Sequence, residues 1–95
     1  MLDQAKTMYQ LKKIQSALAK EVVEVEAGNG AVRVEITGEQ KIKKISINPE
    51  MINIDETYKL EKWLESAITQ AITRSQQLAA EKMKSMAGGL NIPGL

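Results

Sequence analysis

The chain has no cysteine, no histidine and no phenylalanine, and its aromatics are limited to one tryptophan and two tyrosines. Without thiols or imidazoles there is no disulfide, no thiolate nucleophile and no Ser-His relay. Almost every donor set that holds zinc, copper or haem is missing as well. The scarcity of rings argues against an RNA platform that stacks bases on exposed aromatics. No apolar run approaches the ~18 residues of a spanning helix, and Met1 to Lys20 lacks a signal-peptide core, so the expected compartment is the cytoplasm and no membrane contact is expected. Charge of one sign is not in large excess either: 13 Lys and Arg against 12 Asp and Glu leave +1, far from the basic balance of an overt nucleic-acid binder.

What is present suits one folded unit. Ninety-five residues hold a single core. An apolar fraction of 43% with 26% charged residues is close to the globular average, so neither a disordered nor a collagen-like chain is indicated. We expect one domain over residues 1–95: a helix over 1–20, a three-stranded sheet over 22–48, a long helix over 54–87 and a tail over 88–95.

The first helix follows from Leu2, Ala5, Met8, Leu11, Ile14 and Leu18, apolar at spacings of three and four. The period then becomes two. Val23, Val25 and Ala27 alternate with Glu24 and Glu26, and Val32, Val34 and Ile36 alternate with Arg33, Glu35 and Thr37, as in half-buried strands. Gly28-Asn29-Gly30 between them predicts a tight hairpin. A two-residue loop at Gly28-Asn29 sets Val25 against Val32 and Glu24 against Arg33. A four-residue loop sets Glu24 against Glu35, and like charges disfavour it. For the third strand, Ile42 to Asn48, pairing Val34 with Ile45 also places Val32 beside Ile47 and Glu35 beside Lys44. The expected sheet is an antiparallel meander with the second strand central and one face apolar.

Pro49 stops the third strand, because proline cannot donate to the ladder. Asn53 with Glu56 is a capping pattern, and Asp55 is an alternative cap. Leu60, Trp63, Leu64, Ala67, Ile68, Ala71, Ile72, Leu78, Ala79, Met83 and Met86 then form a second helical stripe, with Met8, Met83 and Met86 read as packing residues, until Gly88-Gly89 ends the helix. Such a helix is ~45–50 Å long. A compact chain of this length has a radius of gyration of only ~12 Å. One small sheet and one shorter helix cannot cover it, which points to a homodimer, closed two-fold pairing being the commonest assembly.

The stretch Glu24 to Val34 with Gly28-Asn29-Gly30 at its centre, then Gly38, then Ile45-Ser46-Ile47-Asn48-Pro49-Glu50-Met51-Ile52, resembles the YbaB/EbfC family of bacterial nucleoid-associated proteins. The closing Gly88-Gly89-Leu90-Asn91-Ile92-Pro93-Gly94-Leu95 is similar to that family's C-terminal signature, and the intervening helix adds Leu60-Glu61, Leu64, Ala67, Ala71 and Arg74. Asn48 stands where Asp is usual, and Lys62-Trp63 where an acidic and an aliphatic residue are commoner. The resemblance implies an α+β protomer of order α-β-β-β-α and a tweezer-like homodimer. It also implies binding to double-stranded DNA, altered DNA conformation and a role in nucleoid organisation or gene regulation.

Counted by segment, residues 1–20 carry +3, 21–40 carry −4, 41–50 carry +2, 51–73 carry −2 and 74–95 carry +2, so both ends are basic. If the helices project as arms, Lys6, Lys12, Lys13 and Lys20 of the first and Arg74, Lys82 and Lys84 of the second form basic prongs able to hold a duplex mainly by phosphate contacts. The bland alternatives are solvated helix faces and, for Lys82 and Lys84, complementarity to a helix C-terminus. Gln15, Gln70, Gln76 and Gln77 are weaker candidates for base readout. Lys41, Lys43 and Lys44 suit a charged sheet edge, and Trp63 suits the core or a dimer interface better than base stacking. The only carboxylate pair on one strand face, Glu24 with Glu26, lies across from Arg33 and Lys44 and reads as a salt-bridged surface. Neither an enzyme, a cofactor, a metal site nor a small-molecule substrate is therefore expected. The rival function is a dimeric protein-protein adaptor that uses the long amphipathic helix without DNA. The glycine-rich tail suits a disordered end or a docking segment.

Overall fold

The computed structural model describes the backbone of residues 2–90 and the side chains of residues 5–85. The order is α1 (Leu2–Lys20), β1 (Val22–Ala27), β2 (Val32–Thr37), β3 (Ile42–Ile47), two short 3-10 turns (Pro49–Met51 and Ile54–Glu56) and α2 (Thr57–Leu90). This is the α-β-β-β-α arrangement of an α+β fold. Of the tail expected over residues 88–95, residues 88–90 belong to α2 and residues 91–95 lie outside the described residues.

The sheet is an antiparallel meander of order β1-β2-β3. β3 pairs with β2 in the register that side chains predict: Val34 faces Ile45, Val32 faces Ile47 and Glu35 faces Lys44. A bulge between Glu35 and Ile36 then brings Ile36 opposite Ile42 and leaves Lys43 as the extra residue. The β1–β2 register corrects the expectation. The hairpin closes with the four residues 28–31, so that Val25 faces Val34 and Glu24 faces Glu35. Two facts outweigh the like-charge pair. Gly28, Asn29 and Gly30 all take positive φ (64°, 56° and 90°), a conformation the short loop does not call for at all three. Arg33 also reaches two carboxylates, Glu26 at 2.9 Å and Glu24 at 3.6 Å, so Glu24 is neutralised diagonally rather than by the residue opposite.

α2 packs its small residues Ala67 and Ala71, both fully buried, onto Val25, Val32, Val34 and Ile36 of β1 and β2. Small residues on the helix let the two layers approach closely, and Leu60, Trp63, Leu64 and Ile68 fill the flanks. Ser75 continues this stripe as a buried polar residue that the apolar pattern passes over. Its Oγ donates to the Thr37 carbonyl at 2.7 Å and accepts from the Gln40 N–H at 3.1 Å, fixing the β2–β3 turn, where Gln40 has φ 65°, to the helix.

Asn53, not Asp55, is the cap. Its Oδ1 accepts from the Asp55 N–H at 2.9 Å, and a 3-10 turn precedes the α-helix, which starts at Thr57. At the other end the helix passes through Gly88 and Gly89 to Leu90 instead of stopping there. The molecule measures 61 × 21 × 16 Å with a radius of gyration of 17.9 Å, well above the ~12 Å of a compact chain.

Candidate nucleic-acid interface

α1 enters the body at its C-terminal end. The Gly38 N–H donates to the Leu18 and Glu21 carbonyls at 2.9 and 3.0 Å, which seats the end of the helix on the β2–β3 turn. α2 reaches the same turn at Ser75, and seven residues further on Lys82 meets Glu21, with Nζ 2.5 Å from Oε1. Beyond this point α2 leaves the sheet and α1 lies against it, with Ile14 and Leu18 buried. The two helices thus form an arm along the long axis.

Lys6, Lys12, Lys13 and Lys20 are exposed on α1; on α2, Lys84 is exposed on the arm, and Arg74 is exposed beside Ser75, where the helix still lies on the body. The ion pairs of the described residues join Arg33 to Glu24 and Glu26, Lys41 to Glu39, Lys59 to Glu56 and Lys82 to Glu21. None of them engages Lys6, Lys12, Lys13, Lys20, Arg74 or Lys84. Lys82 differs from these: its side chain is 33% exposed and tied to the carboxylate of Glu21, so its first role is to brace the arm. Lys13 also has a partner, its Nζ standing 5.3 Å from the centre of the Tyr9 ring. The helix pattern locates the lysines but not their bracing. Glu21, 61 positions from Lys82, gives no local sign of being its partner.

The residues read as packing along both helices divide. Ile14, Leu18, Ala67 and Ala71 are buried, whereas Met8 (61% exposed), Leu11 (43%), Ile72 (38%) and Met83 (50%) are not. Met8 and Met83, read as packing residues of the two stripes, are not covered within one chain, because along the arm α1 and α2 have each other as neighbour. The Met86 side chain is outside the described residues. Trp63 is half-buried against the sheet core.

β3 has an uncovered side as well. α2 lies over β1 and β2, and Ile42, Ile45 and Ile47, on the same face as buried Ile36, Val34 and Val32, each stay 44% exposed. The opposite, polar face has an open depression of about 250 Å³ lined by Gly30, Arg33, Ser46, Ile47 and Asn48. Arg33 already holds two carboxylates there, so it presents no free cation to an anion. Among the described residues no cluster of His, Cys, Asp or Glu is placed to hold a metal ion, and no helix is long and apolar enough to cross a membrane.

The profile of the YbaB/EbfC DNA-binding family matches residues 1–90. The chain belongs to that family. A nucleoid-associated protein of Desulforamulus reducens is 40% identical over 97 residues, covering 95% of this chain and 92% of its own. A second, from Thermoanaerobacter pseudethanolicus, is 36% identical over 96 residues, covering 100% and 86%. The crystal structure of the uncharacterized protein HP0035 from Helicobacter pylori superposes with a TM-score of 0.67 at 17% identity, over 94% of this chain and 96% of that one, which shows a shared fold. Membership of the YbaB/EbfC family gives the arm's exposed cations a ligand class to be tested against.

Proposed function

We propose that the protein binds double-stranded DNA in the bacterial nucleoid as a homodimer, mainly through phosphate contacts. In this reading it alters the conformation of the duplex and serves nucleoid organisation or gene regulation from within the cytoplasm. The observation that carries the proposal is the set of cations without carboxylate partners, Lys6, Lys12, Lys13, Lys20, Arg74 and Lys84, on the two helices that meet in the arm, while residues 21–73 between them carry a net −4, with Lys82 bracing the arm at its root. Phosphate contacts fix position without reading bases, so the expected specificity is broad. A second copy is supported by the bare apolar side of β3, where Ile42, Ile45 and Ile47 form a contiguous apolar patch of the kind that marks interaction surfaces. Two copies double the arms and allow a duplex to be held from two sides.

Fluorescence anisotropy with labelled duplexes of unrelated sequence, over a salt series, tests the reading. Each phosphate neutralised contributes about −0.9 to the slope of log affinity against log salt. We expect a steep slope common to all sequences. Absence of binding at low salt, or a flat slope, overturns the reading and favours the adaptor function.

A further inference from the structure

We propose that the phosphate-docking surface of the arm is a single stripe of α1 made of Lys6, Tyr9, Lys13, Ser16 and Lys20. The proposal rests on the DNA-binding reading above and narrows it to one face. These residues follow one another at spacings of three and four. At about 100° per residue, that spacing keeps them within a sector about 80° wide. All five are exposed. The buried residues of the helix, Ile14 and Leu18, lie on the far side, so the stripe looks away from the rest of the chain. Lys12 lies outside it, about 80° around the helix from the centre of the stripe.

The chemistry of the stripe is uniform. Three ammonium groups, a phenol and a hydroxyl are all hydrogen-bond donors, and no carboxylate interrupts them. Lys13 is held over the Tyr9 ring at 5.3 Å, and Tyr9 itself is 63% exposed, so the ring orients the ammonium and the phenol remains accessible to a ligand. The lysines recur every seven residues and the stripe spans about 21 Å of straight rod, which suits a ligand that repeats its negative charge along a line. An anionic membrane also attracts lysines, but a helix lying on a membrane inserts an apolar face beside them. In α1 the inner part of that face, Ile14 and Leu18, is already buried in the fold, whereas Met8 and Leu11 of it are exposed, so the vesicle measurement separates the two ligands.

The test uses the full chain and three variants whose melting and helicity match the parent: Lys6→Gln/Lys13→Gln/Lys20→Gln, Tyr9→Phe/Ser16→Ala, and a control of equal charge change on the body, Lys41→Gln/Lys43→Gln/Lys62→Gln. Binding to a labelled duplex is measured over a salt series, with phosphatidylglycerol vesicles in parallel. The lysine variant is expected to lose about tenfold or more in affinity and to flatten the salt slope by about 2.7 for each protomer engaged. Tyr9→Phe/Ser16→Ala is expected to weaken binding severalfold at unchanged slope, because it removes donors without removing charge. The control is expected to change little. If the parent binds and the lysine variant keeps its slope, or the control loses as much, the stripe is wrong and the DNA reading stands. A parent that binds vesicles but no duplex overturns both.

Discussion

The backbone of Gly28 lies against the indole of Trp63: a Cβ added at Gly28 comes within 2.5 Å of Trp63 Cδ2 and 2.7 Å of Cε2. Gly28 also has φ +64°, where an L side chain is strained. Two separate requirements therefore select glycine, one from the hairpin and one from the helix packed on it. Gly28→Ala is expected to destabilise the chain by about 2 kcal/mol or more, since it combines overpacking with an unfavourable backbone. Urea unfolding followed by the emission of the single tryptophan checks this. An unchanged midpoint shows that the indole gives way freely.

That contact also marks where the sequence stops being readable. The periods of three and four, then two, then three and four again, place the two helices and the three strands but not the 3-10 turns between β3 and α2, and Val34 with Ile45 and Glu35 with Lys44 settle the β2–β3 register because apolar and charged pairs agree. The first hairpin misleads because a rule about residues directly opposite ignores the reach of Arg33, which serves Glu24 and Glu26 together. Ser75 is invisible to an apolar pattern because its burial depends on a turn 35 and 38 positions away. For the arm, the lysines can be placed on helices from spacing alone. The bracing of Lys82 by Glu21 needs the tertiary fold, and the membership of Tyr9 and Ser16 in one face with Lys13 becomes evident once Ile14 and Leu18 are known to define the opposite side.

Ser75→Ala removes the hydroxyl that joins α2 to the β2–β3 turn. The Thr37 carbonyl and the Gln40 N–H each lose one hydrogen bond but keep the 3.1 Å bond they make with each other. A hydrogen bond of this kind contributes about 0.5–1.5 kcal/mol. We expect a loss of about 1–3 kcal/mol for the two, together with faster amide hydrogen exchange at Gln40. A loss without faster exchange assigns the cost to packing alone.

The bare side of β3 yields a prediction about assembly. Ile45 and Ile47 pair with the buried Val34 and Val32 but are themselves 44% exposed, so a charge there meets water in a monomer and a partner's apolar surface in a dimer. Light scattering of the parent is expected to give twice the chain mass of 10.5 kDa. Ile45→Asp with Ile47→Asp is expected to halve that mass while retaining the far-ultraviolet dichroism of the fold. A parent mass of one chain at micromolar concentration, or a variant that remains dimeric, moves the contact elsewhere or removes it.

The Lys82–Glu21 pair is one-third exposed on both sides, 33% and 37%, so solvent screens it and its contribution to stability is small, about 0–1 kcal/mol in a double-mutant cycle. Its effect on DNA binding is expected to exceed its effect on folding, and in an unusual direction. Glu21→Gln leaves Lys82 without its carboxylate and removes a negative charge from the root of the arm. Duplex affinity is therefore expected to rise, with a salt slope steeper by up to about 0.9 if the released ammonium reaches a phosphate. Lys82→Gln, which removes a cation already neutralised, is expected to lower affinity less than Lys13→Gln does. Anisotropy titrations of the three variants at two salt concentrations decide the point. A Lys82→Gln loss equal to that of Lys13→Gln shows that Lys82 leaves Glu21 when DNA arrives and acts as a contact rather than a brace.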